Sequence, residues 1–179
     1  LIDAYSHEIF PWFNENQPIM WWSPDPRAIL FPDELHISKN MRKMIRRRQF
    51  DVTIDSAFEQ TIIECSLRRN DPQTGTWITS DMISAYSKLH KLGFAHSVEV
   101  WLEGELVGGL YGLSIGHVFF GEVAIKQTVD TTVEEQIKFR PTIVMNGDPV
   151  LTNPTAFANS MRQILLWTTD AEMNDPLVV

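Results

Sequence analysis

The chain has a single cysteine, Cys65, in 179 residues. One thiol excludes an intrachain disulfide and suits a reducing compartment. No apolar run approaches the roughly 20 residues that a membrane span needs. The N-terminal stretch LIDAYSHEIFPWF contains acids but no basic segment and no small-residue cleavage site, which argues against a signal peptide. It also has no initiator Met, as expected of a processed or excerpted chain. Together these absences predict a cytoplasmic protein with no membrane partner. Common cofactor motifs are missing too. Gly108, Gly109 and Gly112 do not spell G-x-G-x-x-G, and there is no P-loop and no G-x-S-x-G. His7, His36, His90, His96 and His117 show no metal-ligand spacing with one another or with Cys65, so neither a metal nor a cofactor is expected. Cys65 itself has an apolar helical setting and reads as a buried structural thiol.

Positive charge is scarce overall. The net charge of −8 argues against non-specific nucleic-acid binding by the whole surface. Yet six of the fifteen basic residues fall between Lys39 and Arg48, in KNMRKMIRRR. Lys39, Arg42, Lys43, Arg46 and Arg47 recur at helical spacing, so several share a face after a cap at Ser38. Such a run is either a solvated face or a phosphate-binding patch, and the lack of interleaved acid favours neither outright.

A length of 179 residues fits one domain, or one with a small companion, and 44% hydrophobic residues supply a core. Residues 1–34 are rich in aromatics and prolines and read as short strands and turns packed by tryptophans. FDVTI (50–54) alternates as a strand. A helix is expected from about Ser56 to Leu67 with Phe58, Ile62 and Cys65 inward. A loop with Asn70, Asp71, Pro72 and Gly75 follows. Thr79 or Ser80 then caps a further helix that ends at Gly93, with Met82, Ile83, Tyr86, Leu89 and Leu92 as its apolar stripe. HSVEVWLEGELVGGLYGLSIGHVFF reads as three antiparallel strands, with turns at Glu103-Gly104 and near Ile115-Gly116. Gly108, Gly109 and Gly112 inside the middle strand predict a bulge or a close approach. The expected fold class is α+β. Beyond Glu122 the texture changes: VAIKQTVDTTVEEQIKF reads as a strand and a short helix, NGDP as a turn, and TNPTAFANSMRQILLW as a helix capped by Thr152 or Asn153.

Among candidate functional residues, Trp12, Phe13, Trp21, Trp22 and Trp77 lie in Pro- or Gly-rich segments. Loop tryptophans can stack on bases, at about 1–3 kcal/mol each, or simply form a loop-rich core. Glu122, at the end of the apolar run Val118-Phe119-Phe120, is either an exposed strand-end carboxylate or a partly desolvated one able to hold a substrate amine.

FPWF, MWWSPDPRA, LHIS, GTWIT, AYSKLHKLGFAHSVEVW, ELVGGLYG and FFGE occur together, in this order, over residues 1–122. In this the chain resembles the bacterial leucyl/phenylalanyl-tRNA–protein transferases. The resemblance implies a small N-terminal domain, represented here by residues 1–34, and a GNAT-like acyltransferase domain beginning at residue 35. It implies transfer of Leu, Phe or, less well, Met from aminoacyl-tRNA to acceptor proteins that begin with Arg or Lys, a mark for degradation. It implies a monomer that needs no metal, because the tRNA ester is already activated. Carried over by position, Glu122 is the catalytic glutamate at the aminoacyl site. Trp12 and Trp77 pack around the 3′-terminal adenosine, and Leu110 and Phe119 line the side-chain pocket. Lys39, Arg42, Lys43 and Arg46 meet the acceptor stem.

After Glu122 the resemblance stops. The family's Ser-Met-Phe-Ser-type segment and its Asp-x-Gln motif have no counterpart in residues 123–179. That tail is either foreign sequence or a rebuilt C-terminal half, and the abrupt stop favours the first. The acyltransferase domain is then incomplete, with an unpaired sheet edge, an exposed apolar face and a tendency to aggregate. Transfer by this chain is not expected on that reading. The alternatives are a non-catalytic tRNA-binding module and an inactive truncated or fused fragment.

Overall fold

The computed structural model describes residues 1–13, 15–25, 27, 29–31, 39–48, 50–68, 76–125 and 142–144. The elements are, in order, α1 (Ile2–Ser6), β1 (Phe10–Pro11), β2 (Trp21–Trp22), β3 (Ile29–Leu30), α2 (Lys39–Arg47), β4 (Asp51–Ile54), α3 (Phe58–Arg68), α4 (Ser80–Lys91), β5 (Ala95–Leu102), β6 (Glu105–Ile115), β7 (Val118–Ile125) and β8 (Thr142–Val144). The architecture is mixed helix and sheet, α+β. One six-stranded sheet runs in the order β3-β8-β7-β6-β5-β4, and β1 and β2 form a separate two-stranded ribbon.

Local chemistry accounts for the main elements. Thr79 caps α4, its hydroxyl accepting from the Met82 amide at 3.4 Å, and Asp81 in the first turn faces the positive helix end. Gly93, at φ 79°, ends the helix: its amide donates to the His90 carbonyl and that of Phe94 to the Leu89 carbonyl, each at 2.9 Å. This paired arrangement satisfies carbonyls the helix would otherwise leave open. Glu103 and Gly104, at φ 53° and 85°, form the two-residue turn from β5 to β6, where Leu102 pairs with Glu105. Gly116, at φ 59°, opens the turn to β7.

Tyr111, Leu113 and Phe120 face α3 and α4 in a core with Phe58, Ile62, Cys65, Met82, Tyr86 and Leu89. Their strand neighbours Leu110 and Phe119 point the other way, into a second cluster with Leu30, Val98 and Val100. The expected bulge and close approach both occur in β6, the first at Val107 beside Gly108 and the second at Gly112. Val100 pairs with Gly108 but Trp101 with Leu106, so Val107 is an extra residue in β6. At Gly112 an added Cβ would fall on the Phe120 carbonyl oxygen and lie 2.6 Å from Cζ of Phe119.

Four sequence expectations need correction. Residues 2–6 form a short helix rather than a strand or turn. Trp21 and Trp22 do not pack the N-terminal layer but stand 49% and 38% exposed, the Trp22 ring N–H donating to the Trp12 carbonyl at 3.0 Å. Leu92 is not part of the α4 stripe: it is the C-cap, 67% exposed, where the chain leaves the helix. Finally, VAI after Glu122 is no separate strand. It continues β7 to Ile125, and β8 pairs with Val118–Phe120, covering part of an edge expected to be open. Ser38, the loop at 70–75, the turn at 146–149 and the helix expected after Thr152 lie outside the described residues.

Candidate active site

Glu122 is neither exposed nor at a strand end. It is 5% exposed and lies inside β7. Opposite it the register slips: Tyr111 pairs with Val123 and Gly112 with Gly121, which leaves Glu122 as the inserted residue of a bulge. A bulge bends its strand and re-aims the inserted side chain. The Glu122 carboxylate ends a chain of two hydroxyls brought from distant parts of the sequence. The Tyr5 hydroxyl, on α1, donates to Oε1 of Glu122. The Tyr86 hydroxyl, on α4, is 2.5 Å from that of Tyr5. Since the Tyr5 proton goes to Glu122, Tyr86 is the donor in that second bond.

This polar chain is enclosed by rings. Phe120 meets Tyr5 edge to face at 5.4 Å, Tyr86 meets Tyr111 at 5.4 Å, and Tyr111 meets Phe58 at 6.1 Å. Each tyrosine of the polar chain thus places an apolar body in the core and its hydroxyl on a partner. Trp12 and Trp77 lie in the same core cluster with ring centres 5.9 Å apart, tilted by 42°. Trp12 follows β1, and Trp77 is set by the capped start of α4 just beyond it.

Of the residues singled out in the sequence, the fold thus brings Glu122, Trp12 and Trp77 to one side of the sheet. Leu110 and Phe119 are also together and buried, but in the cluster on the other side of the sheet. Lys39, Arg42, Lys43, Arg46 and Arg47 are exposed along α2 and line an open depression of about 450 Å³. Two site residues were missed. Tyr5 carried no local signal, because its partner is 117 residues away. Tyr86 read only as part of an apolar stripe, although a buried tyrosine hydroxyl needs a partner, and that need was the available clue.

A further polar group joins β4, α4 and β5. His96 Nδ1 lies 2.8 Å from Oδ2 of Asp55, and His90 Nδ1 lies 3.8 Å from Oδ1, which accepts the Ser97 amide at 2.9 Å. His90 also stacks on Phe58 at 4.3 Å. Among the described residues, no group of three or more His, Cys, Asp or Glu is arranged to hold a metal ion, and no helix is long and apolar enough to cross a membrane.

The fold and site define an α+β protein with a buried carboxylate at the end of a two-tyrosine hydrogen-bond chain, a tryptophan pair in the same core cluster as those tyrosines, and a separate basic helix. Sequence comparison says which such protein it resembles. The family model described as leucyl/phenylalanyl-tRNA protein transferase matches residues 29–133, and that of its N-terminal domain matches residues 1–25. A leucyl/phenylalanyl-tRNA–protein transferase of Pseudomonas fluorescens is 59% identical over 122 residues, which are 68% of this chain and 54% of that protein. One from Teredinibacter turnerae is 53% identical over 122 residues, 68% of this chain and 47% of its own. One from Stutzerimonas stutzeri is 52% identical over 132 residues, 74% of this chain and 58% of its own. The chain belongs to the leucyl/phenylalanyl-tRNA–protein transferase family. It spans about half the length of these curated relatives.

Proposed function

We propose that this chain carries the aminoacyl-tRNA-handling part of a leucyl/phenylalanyl-tRNA–protein transferase. The reaction moves Leu or Phe from aminoacyl-tRNA to the N-terminal Arg or Lys of an acceptor protein and so marks it for degradation. The observation that carries this is the Tyr86–Tyr5–Glu122 chain, whose tyrosines share a core cluster with Trp12 and Trp77 inside the region that the family models match. Residues 1–34 are the remnant of an N-terminal domain and residues 35–122 the first part of a GNAT-like acyltransferase domain; the family match does not end at Glu122 as expected but runs to residue 133, and the rest of the 123–179 tail has no assigned role. The protein acts in the cytoplasm as a monomer.

In the reaction the acceptor's α-amine attacks the ester carbonyl, the tRNA hydroxyl leaves, and a peptide bond forms. No step needs a metal, since the ester is activated beforehand. Glu122 is the acid at the aminoacyl site. The Tyr5 hydroxyl, itself held by that of Tyr86, orients the carboxylate, and a carboxylate so held binds an amine through a short, charge-assisted hydrogen bond. Trp12 and Trp77 receive the terminal adenosine. An apolar pocket for the transferred side chain discriminates by about 1–3 kcal/mol per methylene-sized difference; Leu110 and Phe119, the residues that the resemblance assigns to it, lie buried on the other side of the sheet and do not share the face of Glu122. Lys39, Arg42, Lys43 and Arg46 contact acceptor-stem phosphates, which position the tRNA without reading its sequence.

The half-length span of the match favours one alternative, a module that binds tRNA without transferring from it. Incubation with labelled Leu-tRNA and a peptide headed by Arg separates the two. Transfer that disappears in Glu122→Ala establishes the transferase. Salt-dependent tRNA binding with no transfer establishes the module. Absence of both overturns the proposal.

A further inference from the structure

We propose that Arg27 is a positioning residue for the site, fixing α1 so that the Tyr5 hydroxyl stays on Glu122. Its guanidinium carbon is 5.5 Å from the Phe10 ring centre and 5.4 Å from the Phe120 ring centre. Its Nη1 donates to the Glu8 carbonyl at 2.9 Å. These contacts belong to two segments that meet at Tyr5. Glu8 and Phe10 continue directly from α1, which carries Tyr5. Phe120 is two residues before Glu122 in β7, and its ring lies against that of Tyr5.

The turn between α1 and β1 is where such a tie matters. Glu8 sits at φ 60°, a left-handed conformation that a residue with a Cβ adopts only when its surroundings impose it. The amides of Glu8 and Ile9 donate back to the Tyr5 and Ala4 carbonyls at 3.0 and 2.9 Å, so the turn and the helix are one unit. A helix of 5 residues has little stability of its own. Its orientation therefore depends on what grips its C-terminal turn. Arg27 does so by a hydrogen bond to the Glu8 carbonyl and by cation–π contact with a ring on each side. A planar fork with several donors suits both contacts, and a Lys ammonium cannot reproduce them.

The inference rests on Glu122 being the site carboxylate, but it can be tested without turnover. Tyr5, Tyr86 and Tyr111 are the three tyrosines of the chain. Labelled with 13C at Cζ, they give three NMR signals in the free protein, and Tyr5→Phe assigns the first. In folded Arg27→Met the Tyr5 signal should move in the same direction as in Glu122→Gln, with Arg27→Lys intermediate. Val98→Ala, a truncation in the other cluster, controls for general loss of stability and should leave the signal in place. Where transfer is measurable, Arg27→Met should lower kcat about tenfold with KM changed less than about twofold, the pattern of a misplaced rather than missing group. An unmoved Tyr5 signal in folded Arg27→Met overturns the inference, as does an equal movement in Val98→Ala. If Arg27→Met does not fold, Phe10→Leu removes one ring of the clamp, and an unmoved Tyr5 signal there overturns the inference equally. Absence of transfer in the parent chain bears on the role of Glu122 and leaves the positioning claim standing.

Discussion

The two faces of the central sheet are built on different principles. One face packs α3 and α4 and is crossed by a polar chain, Tyr86 to Tyr5 to Glu122, with each hydroxyl on a partner. The other is drier, with an apolar cluster of Leu30, Val98, Val100, Leu110 and Phe119. Apolar contact is non-directional, so this dry cluster adds stability without fixing geometry. Hydrogen bonds in a core of low polarity are directional and costly to break, so the wet face sets geometry. Glu122 and Phe119 are three residues apart in one strand and take part in different tasks.

The difference can be broken most visibly from the dry side. Phe119→Ala should cost about 3–5 kcal/mol, through lost burial and a cavity the sheet cannot close. Chemical denaturation measures it, and a loss below about 1 kcal/mol would show that this face contributes little to stability. Gly112→Ala should come next, at about 1–3 kcal/mol or more, because its methyl group would fall on the Phe120 carbonyl and the Phe119 ring, so the β7 backbone must shift as well as the ring. Glu122→Ala acts on the wet face. It should cost about 1–3 kcal/mol by leaving the Tyr5 hydroxyl without its acceptor, yet it should abolish any transfer outright. A Glu122→Ala variant that loses stability as Phe119→Ala does while keeping its transfer would contradict the division between the faces.

Much of this was legible in the sequence, and what was not has physical reasons. The β5–β6–β7 meander followed from the turn chemistry of Glu103-Gly104 and Gly116, and α4 from Thr79 and Gly93, because those signals are local. The place of Glu122 was only half legible. Alternation with Val118 and Phe120 suggests its face, but neither the bulge nor the continuation of β7 to Ile125 can be seen locally, since a bulge is a mismatch with a partner strand. Tyr5 and Arg27 were harder still. Their roles depend on Glu122 and Phe120, which come from the far side of the sequence. The exposure of Trp21 and Trp22 was missed because aromatic density signals burial on average without saying which ring stays outside.

Helix α2 stands outside both faces, and the smallest stability effect is expected there. Lys39, Arg42 and Arg46 are exposed, so changing all three to Ala should alter unfolding free energy by less than about 0.5 kcal/mol per site. Their charge should instead appear in tRNA binding. Every cation that no longer meets a phosphate should reduce the slope of log affinity against log salt by nearly one, so the triple variant should flatten it by about 2–3. Fluorescence titration of tRNA at several salt concentrations measures this. An unchanged slope would remove α2 from the interface and leave its charge as a solvated face. A flattened slope with unchanged melting would separate a tRNA-binding surface on α2 from the core around Glu122, which carries the fold.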